Sequence, residues 1–379
     1  MSNTTFFIYS DELQKYDYPP ETPLSTRRTA RAREILASMN LLEGDGRSEI
    51  SAGPATRAEL EEFHEKKYLD MLKKASDGVF DEAFLYMGLG TPDCPLFPGM
   101  YDYAALACGA SLLGADKIIT GKARAAFNPA GGYHHAGPAS ASGFCYLNDI
   151  VLACLRLTAA KKRVLFLDLD AHHCDGVQDA FYRRNDVLVI SFHESGATLY
   201  PGTGFDHEIG EGDGEGYTVN LPLPVGTYDD AYQGAFMQLF PPLAGAFDPD
   251  VIVLELGMDG LAGDPLAHLN LTNNVYADIV SLLLKLDKPI LATGGGGYHQ
   301  ENTARGWALC WRVLSGAEPE EDLYAGLGGV MLQSSEWAGG LRDRTLLTHG
   351  GQRKAIDQAI QNSIDRIRAS VFPVHSITE

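Results

Sequence analysis

Six short runs rich in β-branched and aromatic residues, at 6–9, 125–128, 164–169, 187–192, 251–256 and 289–293, are separated by longer stretches of helical periodicity. Strands this apolar along their length are covered on both faces, as happens when helices pack on either side of a parallel sheet. The intervening stretches predict helices over 28–39, 57–75, 101–119, 148–158, 228–245, 274–286 and 303–314, with a last one at about 351–370. No Pro/Gly/Ser-rich linker, charge block or fixed-period repeat divides the 379 residues, so one α/β domain is expected.

The formal net charge of -20 excludes a protein built to hold a polyanion, because nucleic-acid affinity rests largely on phosphate neutralisation by Lys and Arg. The six cysteines are scattered with no C-x-x-C pair, which fits neither a disulfide scaffold nor a structural zinc knot. No stretch reaches the roughly 20 apolar residues of a membrane span, and MSNTTFFIYS lacks the basic and apolar regions of a secretion signal. A cytoplasmic protein is expected, with no direct nucleic-acid or membrane partner.

In open α/β sheets, ligands collect beyond the carboxyl ends of the strands. Four segments at such ends carry unusual residues: NPAGGYHHAGP, LDLDAHHCDG, LGMDGLAGDPL and TGGGGYHQEN. In the second, Asp168, Asp170 and His172 recur every two residues, so an extended backbone projects them to one side. Asp170 and His172, joined by Asp259 from another strand end, make three N/O ligands with an open position, the make-up of a catalytic zinc site. A D-x-H pair by itself equally describes a helix cap or a loop hydrogen bond, and Asp259 between Gly257 and Gly260 equally describes a turn. Convergence of the four segments is what favours the metal.

His134 and His135 follow a glycine pair, and neighbouring imidazoles differ in proton affinity when each has its own carboxylate. Asp168 and Asp175 are available for this. Tyr298, after four glycines, offers a phenol to an oxyanion. A phosphate loop is the rival reading of the glycines, but neither G-x-G-x-x-G nor a following Lys-Ser/Thr is present.

Together, GGYHHAGPASASGFCYLNDI, RVLFLDLDAHHCDGVQDAF, YPGTG, LGMDGLAGDPLAHLNLT and GGGGYHQENTARGW resemble the zinc-dependent histone deacetylases, specifically the class I-like branch that includes bacterial acetoin-utilisation deacetylases. The resemblance runs from about residue 6 to 314. It implies the arginase-deacetylase fold, a parallel sheet of about eight strands, and hydrolysis of acyl-lysine or a small acyl-amine. It implies zinc on Asp170, His172 and Asp259, an oxyanion donor at Tyr298, His135 with Asp175 as general base and acid, and His134 with Asp168 as electrostatic partner. It places Gly143, Phe144 and Tyr200 along the acyl-lysine channel, Leu266 at its rim, Asp93 on the substrate backbone and Arg28 in an internal cavity.

Structural potassium is also implied, one ion at the Asp168 and Ser191 side chains with carbonyls of Asp170, His172 and Phe192, another at carbonyls near Phe181, Arg184, Val187 and Tyr217. The chain departs from the family at Cys174, usually glycine, at Tyr200, usually phenylalanine, and at Pro92, usually tyrosine. A ureohydrolase of the same fold is the rival, but it needs a second carboxylate pair where this chain has GMDG.

Overall fold

The computed structural model describes residues 4–317, 340–348 and 350–378. Eight parallel strands, β1 Thr5–Ile8, β2 Arg47–Ile50, β3 Ala125–Asn128, β4 Val164–Asp168, β5 Val187–Glu194, β6 Thr218–Leu223, β7 Val251–Glu255 and β8 Ile290–Thr293, form one sheet. Their order is β2-β1-β3-β8-β7-β4-β5-β6. The four central strands are thus those whose carboxyl ends carry the unusual segments. They end level: Asn128 pairs with Thr293, Glu255 with Thr293, Asp168 with Glu255 and Asp168 with Ser191.

All six expected strands form, in a single domain. The two that the sequence pattern did not reveal, β2 and β6, are the sheet edges. Arg47–Ile50 reads RSEI and stays only half-buried, while β6 contains Pro222, tolerated where a missing ladder donor faces away from the sheet. Neither carries the apolar run that marks a covered strand.

Helices cover both faces: α1 Arg27–Ser38, α2 Arg57–Leu60, α3 Lys66–Ser76, α4 Met100–Ile119, α5 Asp149–Ala159, α6 Asp175–Phe181, α7 Asp229–Phe247, α8 Asn273–Leu284 and α9 Gln300–Ser315. Local chemistry fixes several starts. Asn148 accepts from Val151 N at 3.0 Å, and Thr272 and His299 cap α8 and α9 in the same way. The expected helix over 57–75 is instead two, α2 with a Thr56–Glu59 capping box, then α3. Between them His64 is buried and its Nε2 accepts from Asn148 N at 3.0 Å, so a tertiary bond to the start of α5 breaks the helical run.

The C-terminal helix, Gly350–Val371, buries Ile356, Ile360, Ile364, Ile367 and Val371, a stripe at three- and four-residue spacing laid against β6 and α7. Among the described residues no helix is long and apolar enough to cross a membrane. All six cysteines are buried free thiols. Cys174 has φ −78°, so the side chain that replaces a family glycine meets no backbone penalty there.

Candidate metal centre and active site

Past β4 the extended backbone expected from the sequence gives way to a bend at Asp170–His172, held by its own acids: Asp170 N donates to Asp168 Oδ1 and His172 N to Asp170 Oδ1, each at 2.9 Å. Asp259, beyond β7, accepts from Ala171 N at 2.8 Å, which ties the two strand ends together. The ligand atoms of Asp170, His172 and Asp259 all lie within 4.8 Å of one another, and all three residues are buried. His172 Nδ1 sits 2.8 Å from Asp259 Oδ2 and 3.3 Å from Asp170 Oδ1.

The glycine loop after β8 closes this site by backbone approach. Gly296 N donates to Asp170 Oδ2 at 2.6 Å, and a Cβ at Gly296 would stand 2.0 Å from Asp259 Oδ2. A Cβ at Gly257 would likewise stand 2.0 Å from Asp170 Oδ2. Glycine is required at both positions because the carboxylates occupy the side-chain space.

The electrostatics call for a cation. Burial and the Asp170 charge push the Asp259 carboxyl up to about 7. Burial opposes ionisation of Asp170 too, but the His134 and His172 rings outweigh it and hold that acid well below the usual carboxylate range. Two buried acids and one imidazole nitrogen converging on one point match the N/O donor set and the closed spacing that a divalent ion such as zinc takes.

Beside this centre, His135 Nδ1 lies 2.7 Å from Asp175 Oδ1, the partner the family resemblance names. Burial and the neighbouring His134 push the His135 imidazole down to about 4. His135 is therefore a neutral ring, Nδ1–H toward Asp175 and Nε2 free to accept. His134 Nε2 stands 3.0 Å from His135 Nε2.

The expected pairing of His134 with Asp168 is not what the structure has. His134 Nδ1 faces Glu255, 3.0 Å from both carboxylate oxygens. Asp168 is engaged elsewhere, accepting from Ser191 Oγ at 2.6 Å and from Asp170 N. Glu255 occupies the position level with Asp168 on the next strand, and its side chain, one methylene longer, reaches His134 Nδ1.

Tyr298 is held by its backbone, N donating to Asp264 Oδ2 at 2.8 Å, and its ring centroid lies 6.1 Å from that of His172. Burial and the Asp259 charge raise its phenol well above the ordinary value, so it remains a donor. A small pocket is lined by His134, His135, Gly143, Phe144, Asp170 and Tyr298, together with Arg28. Arg28, buried, donates to the carbonyls of Gly297 at 2.8 Å and Gly295 at 2.6 Å.

Gly143 is pressed against His135, its virtual Cβ 2.3 Å from Cδ2 of the ring. Phe144 takes φ +65°, a region costly for a bulky residue, and is pinned there by Phe144 N to Asp93 O at 2.9 Å and Tyr18 Oη to Phe144 O at 2.6 Å. Tyr200 packs its ring edge-on, 5.1 Å from His135, and hydrogen-bonds to Ser142. Asp93 is exposed and Leu266 half-buried, and neither they nor Tyr200 line the small pocket.

Of the residues expected around potassium, Asp168 and Ser191 are joined side chain to side chain. The Phe181 carbonyl accepts from Arg184 N, and that of Tyr217 from Val189 N, each at 2.9 Å. Glu255, Asp264 and Ser142 were missed from sequence. The signal for Glu255 was a lone acid closing the otherwise apolar strand VIVLE, and that for Asp264 was its place in the LGMDGLAGDPL segment.

The histone deacetylase domain family matches residues 22–314. The chain belongs to the histone deacetylase family. Histone deacetylase 8 of Xenopus laevis is 41% identical over 281 residues, 72% of this chain and 86% of that protein. Acetoin utilization protein AcuC of Bacillus subtilis is 38% identical over 326 residues, 84% of each chain. A crystal structure of an HDAC homolog complexed with SAHA superposes with a TM-score of 0.85 at 33% identity, covering 95% of this chain and 99% of that one. This histone deacetylase family hydrolase therefore shares the fold of its relatives across nearly its full length, and its buried His/Asp groups have the make-up of a metal site.

Proposed function

We propose that the chain is a zinc-dependent lysine deacylase, a single deacetylase domain over 1–379 that hydrolyses the acyl amide of an N-ε-acyl-lysine. The observation that carries this reading is the convergence of Asp170, His172 and Asp259 on one point, with His135 and Tyr298 on either side. The His172 ring centroid is 6.0 Å from that of His135 and 6.1 Å from that of Tyr298.

Bound at the three ligands, zinc would acidify water and polarise a carbonyl. The protein's own part follows from its donors and acceptors. His135, with Nδ1–H fixed on Asp175, takes one proton from the attacking water through Nε2. The oxygen of that water bonds to the acyl carbon, and the Tyr298 hydroxyl donates to the oxyanion that results. His135 then gives its proton to the amine nitrogen as the C–N bond breaks, leaving a carboxylic acid and a neutral lysine amine. Phe144 and Tyr200 would flank the approach, and Asp93, exposed at the surface, would grip the substrate backbone.

Potassium at Asp168 and Ser191 and a cytoplasmic location complete the reading, with no direct nucleic-acid partner for so acidic a chain. A deacetylase of acetylated polyamines is the second reading, since a small acyl-amine would meet the same chemistry. Against it, Leu266 stands in the rim region where an acid would read a second amine.

The test is a rate comparison on peptides carrying acetyl-, longer fatty and hydroxylated acyl-lysine, with acetylspermidine alongside. The deacylase reading expects release of the free acid from a lysine peptide, lost on chelation and restored by zinc. A clear preference for acetylspermidine would favour the polyamine reading.

A further inference from the structure

Glu255 ends β7, is fully buried, and among the described residues its only side-chain hydrogen-bond partner is His134 Nδ1, with Oε1 otherwise unsatisfied. A buried carboxylate with one neighbour is costly, so its surroundings must return something for it. Asp168 is already satisfied by Ser191 Oγ and Asp170 N, and no bond to His134 connects it to the histidine pair.

The chain of bonds has a direction. Asp175 accepts only, so His135 Nδ1 carries the hydrogen across the 2.7 Å contact and His135 Nε2 carries a lone pair. His134 Nε2 stands 3.0 Å from that atom, so the orientation of the His134 ring decides what faces the lone pair that receives the water's proton. A proton must also lie between His134 Nδ1 and Glu255, because two bare lone pairs 3.0 Å apart would repel. The Glu255 carboxylate therefore decides which way the His134 ring faces and which atom it turns toward His135.

We propose that Glu255 is the positioning residue for His134. It grips Nδ1 and so turns Nε2 toward His135 Nε2, the atom that takes the proton of the attacking water. The inference rests on the deacylase reading for its kinetic consequence, while the bond itself can be tested without any substrate.

The experiment uses the zinc-loaded full chain and two variants: Glu255→Leu, which removes the acceptor, and Glu255→Gln, which keeps an acceptor oxygen. Proton–nitrogen NMR of the imidazoles, assigned with His134→Phe, reads the Nδ1 hydrogen bond. Its signal is expected in the wild type and in Glu255→Gln at a changed position, and absent in Glu255→Leu.

With an acyl-lysine peptide, kcat is expected to fall about 100-fold in Glu255→Leu with KM within about threefold, and to recover to within about tenfold in Glu255→Gln. Metal content should stay at one zinc per chain throughout, a split that general loss of packing would not give. Wild-type kcat in Glu255→Leu, persistence of the Nδ1 signal there, or its loss in Glu255→Gln would each overturn the proposal.

So would a second divalent ion in the wild type that Glu255→Leu loses, because His134, Asp170 and Glu255 also lie within 4.8 Å of one another and Glu255 would then be a ligand. Should the wild type hydrolyse no acyl-amine, the deacylase reading fails and the NMR arm still decides the role of Glu255. Should Glu255→Leu not fold, the Glu255→Gln arm decides.

Discussion

An imidazole that must take up a proton and return it within one turnover has to be neutral, oriented and dry. His135 meets all three conditions through Asp175, burial and the wall made by Gly143. Replacing His135 with Ala, or Tyr298 with Phe, is expected to leave the metal in place and to lower kcat by about 100- to 1,000-fold, the usual worth of one positioned proton or oxyanion donor. Steady-state rates with metal analysis on the same samples check this, and near-wild-type kcat in either variant would remove that residue from the chemistry. These residues were legible in the sequence because each breaks the local pattern: paired histidines after glycines, alternate acids on a strand end, a tyrosine closing a glycine run. Glu255 carried only the weaker signal of a lone acid closing an apolar strand, because strand register, and not spacing along one segment, sets it level with Asp168.

At the scale of elements, the site depends on loops that come closer than side chains allow. Gly296→Ala would drive a methyl against Asp259 Oδ2, so the variant is expected to lose most of its bound metal while keeping its helical circular dichroism. Equal metal content would show that the loop can give way. The break between α2 and α3 has a consequence in acid. Burial pushes the His64 imidazole down from 6.5 to about 4, and its Nε2 must stay unprotonated to accept from Asn148 N.

Below pH 6.5 the unfolded chain binds a proton at this residue that the folded one refuses until about pH 4, so stability falls as pH falls through that window. The fall attributable to this group is about 3 kcal/mol at most. Denaturant titrations at pH 7 and pH 4.5 should show a smaller acid loss in His64→Gln than in the wild type, and equal losses would contradict the assignment. The sequence showed helical period on both sides of His64 and so ran the helix through it. The hydrogen bond that interrupts it reaches 84 residues along the chain.

Across the whole molecule, a parallel sheet gathers four strand ends at one edge of the core, and the chain places its acids, histidines and glycines there and almost nowhere else in such density. The central strands were readable because burial on both faces leaves an uninterrupted apolar run. The edge strands β2 and β6 were not, since partners on one side alone leave RSEI and a proline-containing segment looking like loop. The C-terminal helix was legible from its stripe, and Ile364→Ala within it is expected to cost about 2–5 kcal/mol in a denaturant titration. A loss under about 0.5 kcal/mol would place the helix outside the cooperative core.

The proposed chemistry depends on a single metal ion held between the segments that follow β4 and β7. Anomalous diffraction at the zinc edge from zinc-loaded crystals tests it most directly. One peak per chain is predicted, about 2.0–2.2 Å from a carboxylate oxygen of Asp170, His172 Nδ1 and a carboxylate oxygen of Asp259. No peak between these three residues, or two peaks bridged by Asp170, would contradict it.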